Sequence, residues 1–97
     1  MNKDFFDILR KIHKNPIATQ RYLASELNFS LGKINYCLKG LKQKGLIKIS
    51  NFSKAENKIK YIYVLTPKGI SEKSKITLRF IKQKMKEYEE LKKEIKK

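Results

Sequence analysis

The chain predicts a mainly α fold with one small β-hairpin and a long final helix. Three observations predict it. Apolar residues recur at helical spacing in three short segments, the period drops to two over two adjoining runs, and helical spacing then returns without a breaker. With 97 residues and 40% hydrophobic content, the chain is sized for one small domain plus an appended helix, since cores of this size bury only about 60 to 65% of the unfolded surface. Two full domains are excluded.

Residues 4 to 13 set Phe5, Ile8, Leu9 and Ile12 on one helical face, with Asp4 and Asp7 early and Arg10 and Lys11 later, as amphipathicity and the helix macrodipole both favour. Asn15-Pro16 breaks this helix. Thr19 then suits the N-cap of a second helix, in which Tyr22, Leu23 and Leu27 are expected inward and Ala24 permits close approach. Asn28-Phe29-Ser30 makes a very short turn: Asn tolerates the left-handed conformation at a helix end, Phe29 can anchor the turn in the core, and Ser30 can cap the next helix. From Leu31 to Lys44 the residues Leu31, Ile34, Cys37, Leu38 and Leu41 form an apolar stripe, while Lys33, Asn35, Tyr36, Lys39, Lys42 and Gln43 occupy the remaining surface. Gly40 inside this helix costs about 0.8 to 1 kcal/mol relative to Ala, so either a neighbour comes close or the loss is tolerated. Gly45 supplies the stop.

Residues 46 to 52 and 58 to 65 alternate with period two around a polar 53-to-57 turn, which predicts a two-stranded hairpin. Thr66 is then a natural N-cap, and Pro67 fits the first helical position because its missing N–H would be unpaired there anyway. The final helix spans over 40 Å at about 1.5 Å per residue, too long for a small head to cover. Its stripe of Ile70, Thr77, Leu78, Ile81, Met85, Tyr88 and Ile95 is broadened by Ile76, Phe80 and Leu91. The early part is expected to dock on the head and the later part to pair with a second chain. Residues 1–66 are thus expected to form the head, and residues 67–97 a dimerisation helix presenting Leu78, Ile81, Met85, Tyr88, Leu91 and Ile95.

Lys plus Arg number 24 against 9 Asp plus Glu, a formal net charge of +15, so the surface should attract a polyanion. The surplus is uneven. Residues 27 to 55 contain six Lys and no acid, while Glu87, Glu89, Glu90 and Glu94 sit in the last helix. No apolar run reaches the roughly 18 to 20 residues of a spanning helix, no lipidation motif is present, and the acid-containing start does not resemble a secretion signal. A cytoplasmic location is expected. A single cysteine, Cys37, excludes an intrachain disulfide or a thiolate zinc cluster. Its place on the packing side suits an inert buried thiol better than a redox sensor, and His13 suits a helix end. No nucleophile–base set, metal-ligand spacing or Gly-rich phosphate loop occurs, so neither catalysis nor a metal or cofactor is expected.

Three helices with a tight turn before the third, followed by a hairpin, is the order of a winged helix-turn-helix, whose third helix enters the DNA major groove. The wording Asn28-Phe29-Ser30-Leu31-Gly32-Lys33-Ile34-Asn35-Tyr36-Cys37-Leu38-Lys39, then Lys44-Gly45-Leu46-Ile47 and Leu65-Thr66-Pro67-Lys68-Gly69, resembles the MarR-like winged-helix transcriptional regulators, most closely their short exopolysaccharide-associated branch. The resemblance covers nearly the whole chain. It implies a homodimer on inverted-repeat double-stranded DNA. Longer members carry extra helices that build the dimer and an effector pocket, whereas a single C-terminal helix must serve here, so no small-molecule effector is expected.

On the third helix Ser30, Lys33, Asn35, Tyr36 and Lys39 are the groove-facing candidates. Asn35 offers a donor and an acceptor together, matching adenine N6 and N7; the other reading is an ordinary exposed polar residue. Tyr36 either faces the groove or packs at the rim of the core. Lys33, Lys39 and Lys42 and the wing residues Lys54 and Lys58 suit phosphate contacts, which set register without reading sequence. Gln20 and Arg21 can add backbone contacts beside a helix N-terminus. Two-fold pairing would present two third helices to successive major grooves, about 34 Å apart. Rival readings are a protein-interaction module with the same fold and a nonspecific nucleic-acid binder.

Overall fold

The computed structural model describes residues 2–53 and 60–96. Its elements run α1 (Lys3–Lys14), α2 (Gln20–Leu27), α3 (Leu31–Gln43), β1 (Ile47–Ser53), β2 (Lys60–Leu65) and α4 (Pro67–Ile95). Each helix start has the side chain that satisfies a free backbone N–H there. Asn2 accepts from Phe5 N at 2.8 Å, Thr19 from Tyr22 N at 3.0 Å, Ser30 from Lys33 N at 3.1 Å and Thr66 from Gly69 N at 3.0 Å. The last three are the caps the sequence predicts.

The helix ends follow the same logic. Asn28 is left-handed at φ 57° and ψ 42°, and Phe29 N donates to Ala24 O at 2.9 Å. Gly45, at φ 72°, turns the chain after α3 so that Leu46 N donates to Leu41 O at 3.0 Å. Both ends are Schellman turns, closed by a residue that tolerates positive φ.

The core gathers Phe5, Ile8, Leu9 and Ile12 from α1, Leu23 from α2, and Ile34, Cys37, Leu38 and Leu41 from α3, under Leu46, Ile47, Tyr63 and Leu65 of the hairpin segment. The antiparallel register pairs Ile47 with Leu65 and Ile49 with Tyr63, which puts these residues inward and leaves Lys48 and Val64 outward. Tyr63 N also donates to Pro16 O at 2.8 Å, tying the α1–α2 connection to the other edge of β2. β1 starts one residue later than the period-two pattern implies, because Leu46 is taken up by the turn after α3, while the expected start of the second strand at residue 58 lies outside the described residues.

Four side chains differ from the sequence reading. Tyr22 is 42% exposed and its hydroxyl donates to Glu26 Oε1 at 3.2 Å; it lies about a quarter-turn from Leu23, on the far side from Leu27. Leu31, on the first turn of α3, is 47% exposed because the core is reached only further along the helix. Phe6 is buried although it lies off the α1 stripe, since α4 covers a second side of α1: the Phe6 and Phe80 rings meet edge-on with centroids 5.3 Å apart. Ile70 stays exposed, and α4 docks instead through Gly69 and Ile76. At Gly40 the neighbour is a side chain: an added Cβ would lie 2.7 Å from the Phe5 ring.

The start of α4 is fastened to the end of α3. Thr66 Oγ1 donates to Gly45 O at 2.6 Å, Thr66 N to Leu46 O at 3.0 Å, and Lys68 Nζ to Lys44 O at 3.1 Å. Gly69 is required by close approach, since a Cβ there would collide with the Leu46 carbonyl oxygen. Beyond Phe80, whose ring still meets Phe6, the helix leaves the head, and the molecule extends to 66 Å by 26 Å by 20 Å.

Candidate nucleic-acid interface

α3 buries Ile34, Cys37, Leu38 and Leu41 and turns the rest of its circumference outward. At about 100° per residue, the line opposite the buried stripe runs through Gly32, Tyr36, Lys39 and Gln43. Asn35 and Lys42 flank it on one side and Lys33 on the other. Tyr36 is 72% exposed, and Asn35, Lys39, Lys42 and Gln43 are exposed. Among the described residues, none of these five side chains makes a hydrogen bond or ion pair with the chain. An unpartnered row of cationic, amide and phenolic groups on a helix is equipped to meet phosphates and base edges.

Lys33 is engaged elsewhere. Its Nζ lies 3.0 Å from Asp4 Oδ2 and 4.1 Å from the centre of the Phe29 ring, which pins α3 to α1 and to the turn. Ser30, exposed, already uses its hydroxyl as the α3 cap. Gln20 and Arg21 open α2, Gln20 half-buried and Arg21 exposed. Lys54 and Lys58 lie outside the described residues.

Two features go beyond the sequence candidates. Gln43 shares the outward line, and its position seven residues after Tyr36 and four after Lys39 was the available signal. A groove also runs beside this line, lined by Asn2, Phe5, Tyr36, Lys39, Gln43 and Lys44 with Gly40 at its floor. Lys44 Nζ lies 5.1 Å from the Phe5 ring centre, so its charge stays at the groove edge. The α1 N-terminus contributes to this surface only through folding, which spacing along α3 does not reveal.

Beneath the outward face, burial pushes the Cys37 thiol above its ordinary pKa; Asp4 adds to the effect and Lys33 opposes it. The thiol is therefore protonated at neutral pH and unreactive. Among the described residues, no three His, Cys, Asp or Glu side chains cluster to hold a metal ion, and no helix is long and apolar enough to cross a membrane.

A recognition-type helix held on a three-helix core, with a two-stranded wing after it, defines a winged-helix fold. Residues 6–48 match the family model described as winged helix-turn-helix DNA-binding. Solved structures agree on the fold. A variant of Lactococcus lactis ZitR is 23% identical over 94% of this chain and 60% of its own, with a TM-score of 0.73. Streptococcus pneumoniae FabT, solved in complex with DNA, is 23% identical over 90% of this chain and 59% of its own, with a TM-score of 0.70. A transcriptional regulator homologue from Pyrococcus horikoshii is 15% identical over 87% and 84% of the two chains, with a TM-score of 0.66. This chain spans about 60% of the length of the first two. None of the three bears on the exopolysaccharide-associated branch. No curated protein matches the chain.

Proposed function

We propose that the chain is a sequence-specific double-stranded DNA-binding transcriptional regulator that acts as a homodimer on an inverted-repeat operator. The observation that carries this reading is the outward line of α3, where Tyr36, Lys39 and Gln43 stand exposed between Asn35 and Lys42 in a segment with no acidic residue from 27 to 55. The family match over 6–48 and a similarly folded protein solved in complex with DNA support it. In this reading residues 1–66 bind DNA and residues 67–97 dimerise. The protein is a regulator of the cytoplasm and not an enzyme, and its kinship with the exopolysaccharide-associated branch rests on wording alone.

The roles follow from chemistry. Asn35 reads adenine, since an amide presents a donor and an acceptor in the spacing of N6 and N7; such a pair discriminates by about 1 to 3 kcal/mol. Tyr36 and Gln43 lie against base edges or sugars beside it. Lys39 and Lys42, with Lys54 and Lys58 on the wing, neutralise phosphates, and Gln20, Arg21 and Ser30 add backbone contacts. Lys33 is a weaker phosphate ligand than its neighbours because Asp4 already holds it.

Selection of bound fragments from a random duplex pool, followed by anisotropy titration, tests the reading. An inverted repeat should be recovered. With about six to ten phosphates contacted, affinity should fall roughly 10³- to 10⁵-fold between 50 and 200 mM salt. Asn35→Ala should flatten the preference among bases, while Lys39→Ala should weaken all duplexes alike. Uniformly weak binding with no preferred sequence, or affinity indifferent to salt, would overturn it.

A further inference from the structure

Beyond Ile76, the last buried residue of α4, Leu78, Ile81, Met85, Tyr88 and Ile95 are 48 to 84% exposed. Their positions step by three and four alternately once Lys92 is counted between Tyr88 and Ile95, which is the spacing of a heptad seam. Gly69, Ile76 and Phe80 mark the side of α4 that faces the head. At about 100° per residue the seam lies on another side, so a second helix can run along it without displacing the head.

We infer that this seam pairs antiparallel with the same seam of a second copy, in the register that sets Met85 against Tyr88 of the other chain. The inference rests on the homodimer of the proposed function and adds its direction and register. Charge selects both. The sequence runs in blocks: Lys82, Lys84 and Lys86, then Glu87, Glu89 and Glu90, then Lys92 and Lys93. Parallel pairing in register brings Lys92 against its own copy inside the seam and lays each block beside its like, with Lys84 to Glu89 across the interface as the main relief. Antiparallel pairing lays the lysine block of each chain along the glutamate block of the other.

That register also fills the seam. Leu78 meets Ile95, Met85 meets Tyr88 and Ile81 meets the stem of Lys92, each twice by two-fold symmetry. Lys92 carries its charge to the edge, where its Nζ already lies 6.0 Å from the Tyr88 ring centre of its own chain. Flanking the seam, Lys82 faces Glu89 of the second copy; among the described residues neither takes part in an ion pair of its own chain, whereas Lys84 holds Glu87 at 3.3 Å. The overlap begins at residue 76, the last buried residue of α4, and lies on a different side of the helix from the Phe80 contact with Phe6.

The arrangement also spaces the heads. Each head packs over roughly residues 67 to 80 of α4, a stretch centred about 20 Å from the two-fold axis at about 1.5 Å per residue. The two heads then lie about 40 Å apart along the rod, close to the ~34 Å of one turn of DNA.

Disulfide trapping in a Cys37→Ala background tests the direction, with sedimentation equilibrium reporting the oligomeric state. Chains carrying Leu78→Cys mixed with chains carrying Ile95→Cys should form a mixed disulfide under mild oxidant. Ile95→Cys alone should not, because the two copies of that residue lie about 26 Å apart at about 1.5 Å per residue. Lys82→Glu should weaken association several-fold, and mixing it with Glu89→Lys should restore it. Rapid trapping of Ile95→Cys alone, or a dimer in which the mixed pair never traps, would overturn the antiparallel register while leaving the homodimer standing. A monomer at every concentration would overturn both.

Discussion

In the head, Ile8, Leu9, Ile12, Leu23, Ile34 and Leu41 are wholly buried within one chain, whereas on α4 beyond Ile76 the side chains of Leu78, Met85, Tyr88, Leu91 and Ile95 stand open. Both regions show helical hydrophobic spacing, and both are terminated or capped by ordinary means. They differ in what lies opposite the apolar face. Three short helices joined by tight turns can fold onto one another, but a 29-residue rod cannot fold back on itself. Periodicity therefore identifies a face that seeks cover, and chain length decides whether the same chain can supply it.

The sharpest way to break this comparison is truncation at matched positions. Ile34→Ala in the head should cost about 2 to 5 kcal/mol in chemical denaturation, through lost transfer energy and an unfilled cavity. Ile81→Ala, measured at concentrations where the chain is monomeric, should change unfolding by no more than about 0.5 kcal/mol. Similar costs at both sites would mean that the outer helix is covered within one chain.

The boundary between the two regions can be probed next. Gly69→Ala pushes a Cβ into the Leu46 carbonyl and should cost about 1 to 3 kcal/mol, read as a lowered denaturation midpoint. Thr66→Ala removes the α4 cap and the bond to Gly45 O, a loss of about 1 kcal/mol. If either substitution were neutral, α4 would not be fastened to the end of α3 as described.

The smallest effect lies inside the head. Burial raises the Cys37 pKa, so in alkaline solution the unfolded chain loses this proton before the folded chain does. The resulting stability is complete below the unfolded thiol value of about 8.5 and is lost as pH rises through the folded value. Denaturation midpoints should decline above about pH 8.5, and Cys37→Ala should remove that part of the decline. A decline unchanged by the substitution would show that another group causes it.

Much of this was legible in the sequence where a residue acts on its immediate neighbours. Thr19, Ser30 and Thr66 as caps, Asn28 and Gly45 as turn residues, and the change of period into the hairpin all depend on a few consecutive residues. What required the structure was contact between elements. Phe6 is buried because α4 passes over it, Tyr22 faces partly out because it lies on the far side of Leu23 from Leu27, and Lys33 is committed to Asp4 from another helix. The outward line of α3 lay between these cases: Asn35, Tyr36, Lys39 and Lys42 were readable from spacing, while the groove shared with Asn2 and Phe5 was not.

Two exposed tyrosines allow the central claim to be measured directly. Tyr36 on α3 is 72% exposed and Tyr88 on α4 is 62% exposed; each can be replaced by a photoreactive phenylalanine and irradiated with a bound duplex at low salt. Position 36 should crosslink to DNA and position 88 to a second protein chain. DNA crosslinks from position 88 with none from position 36 would contradict that claim.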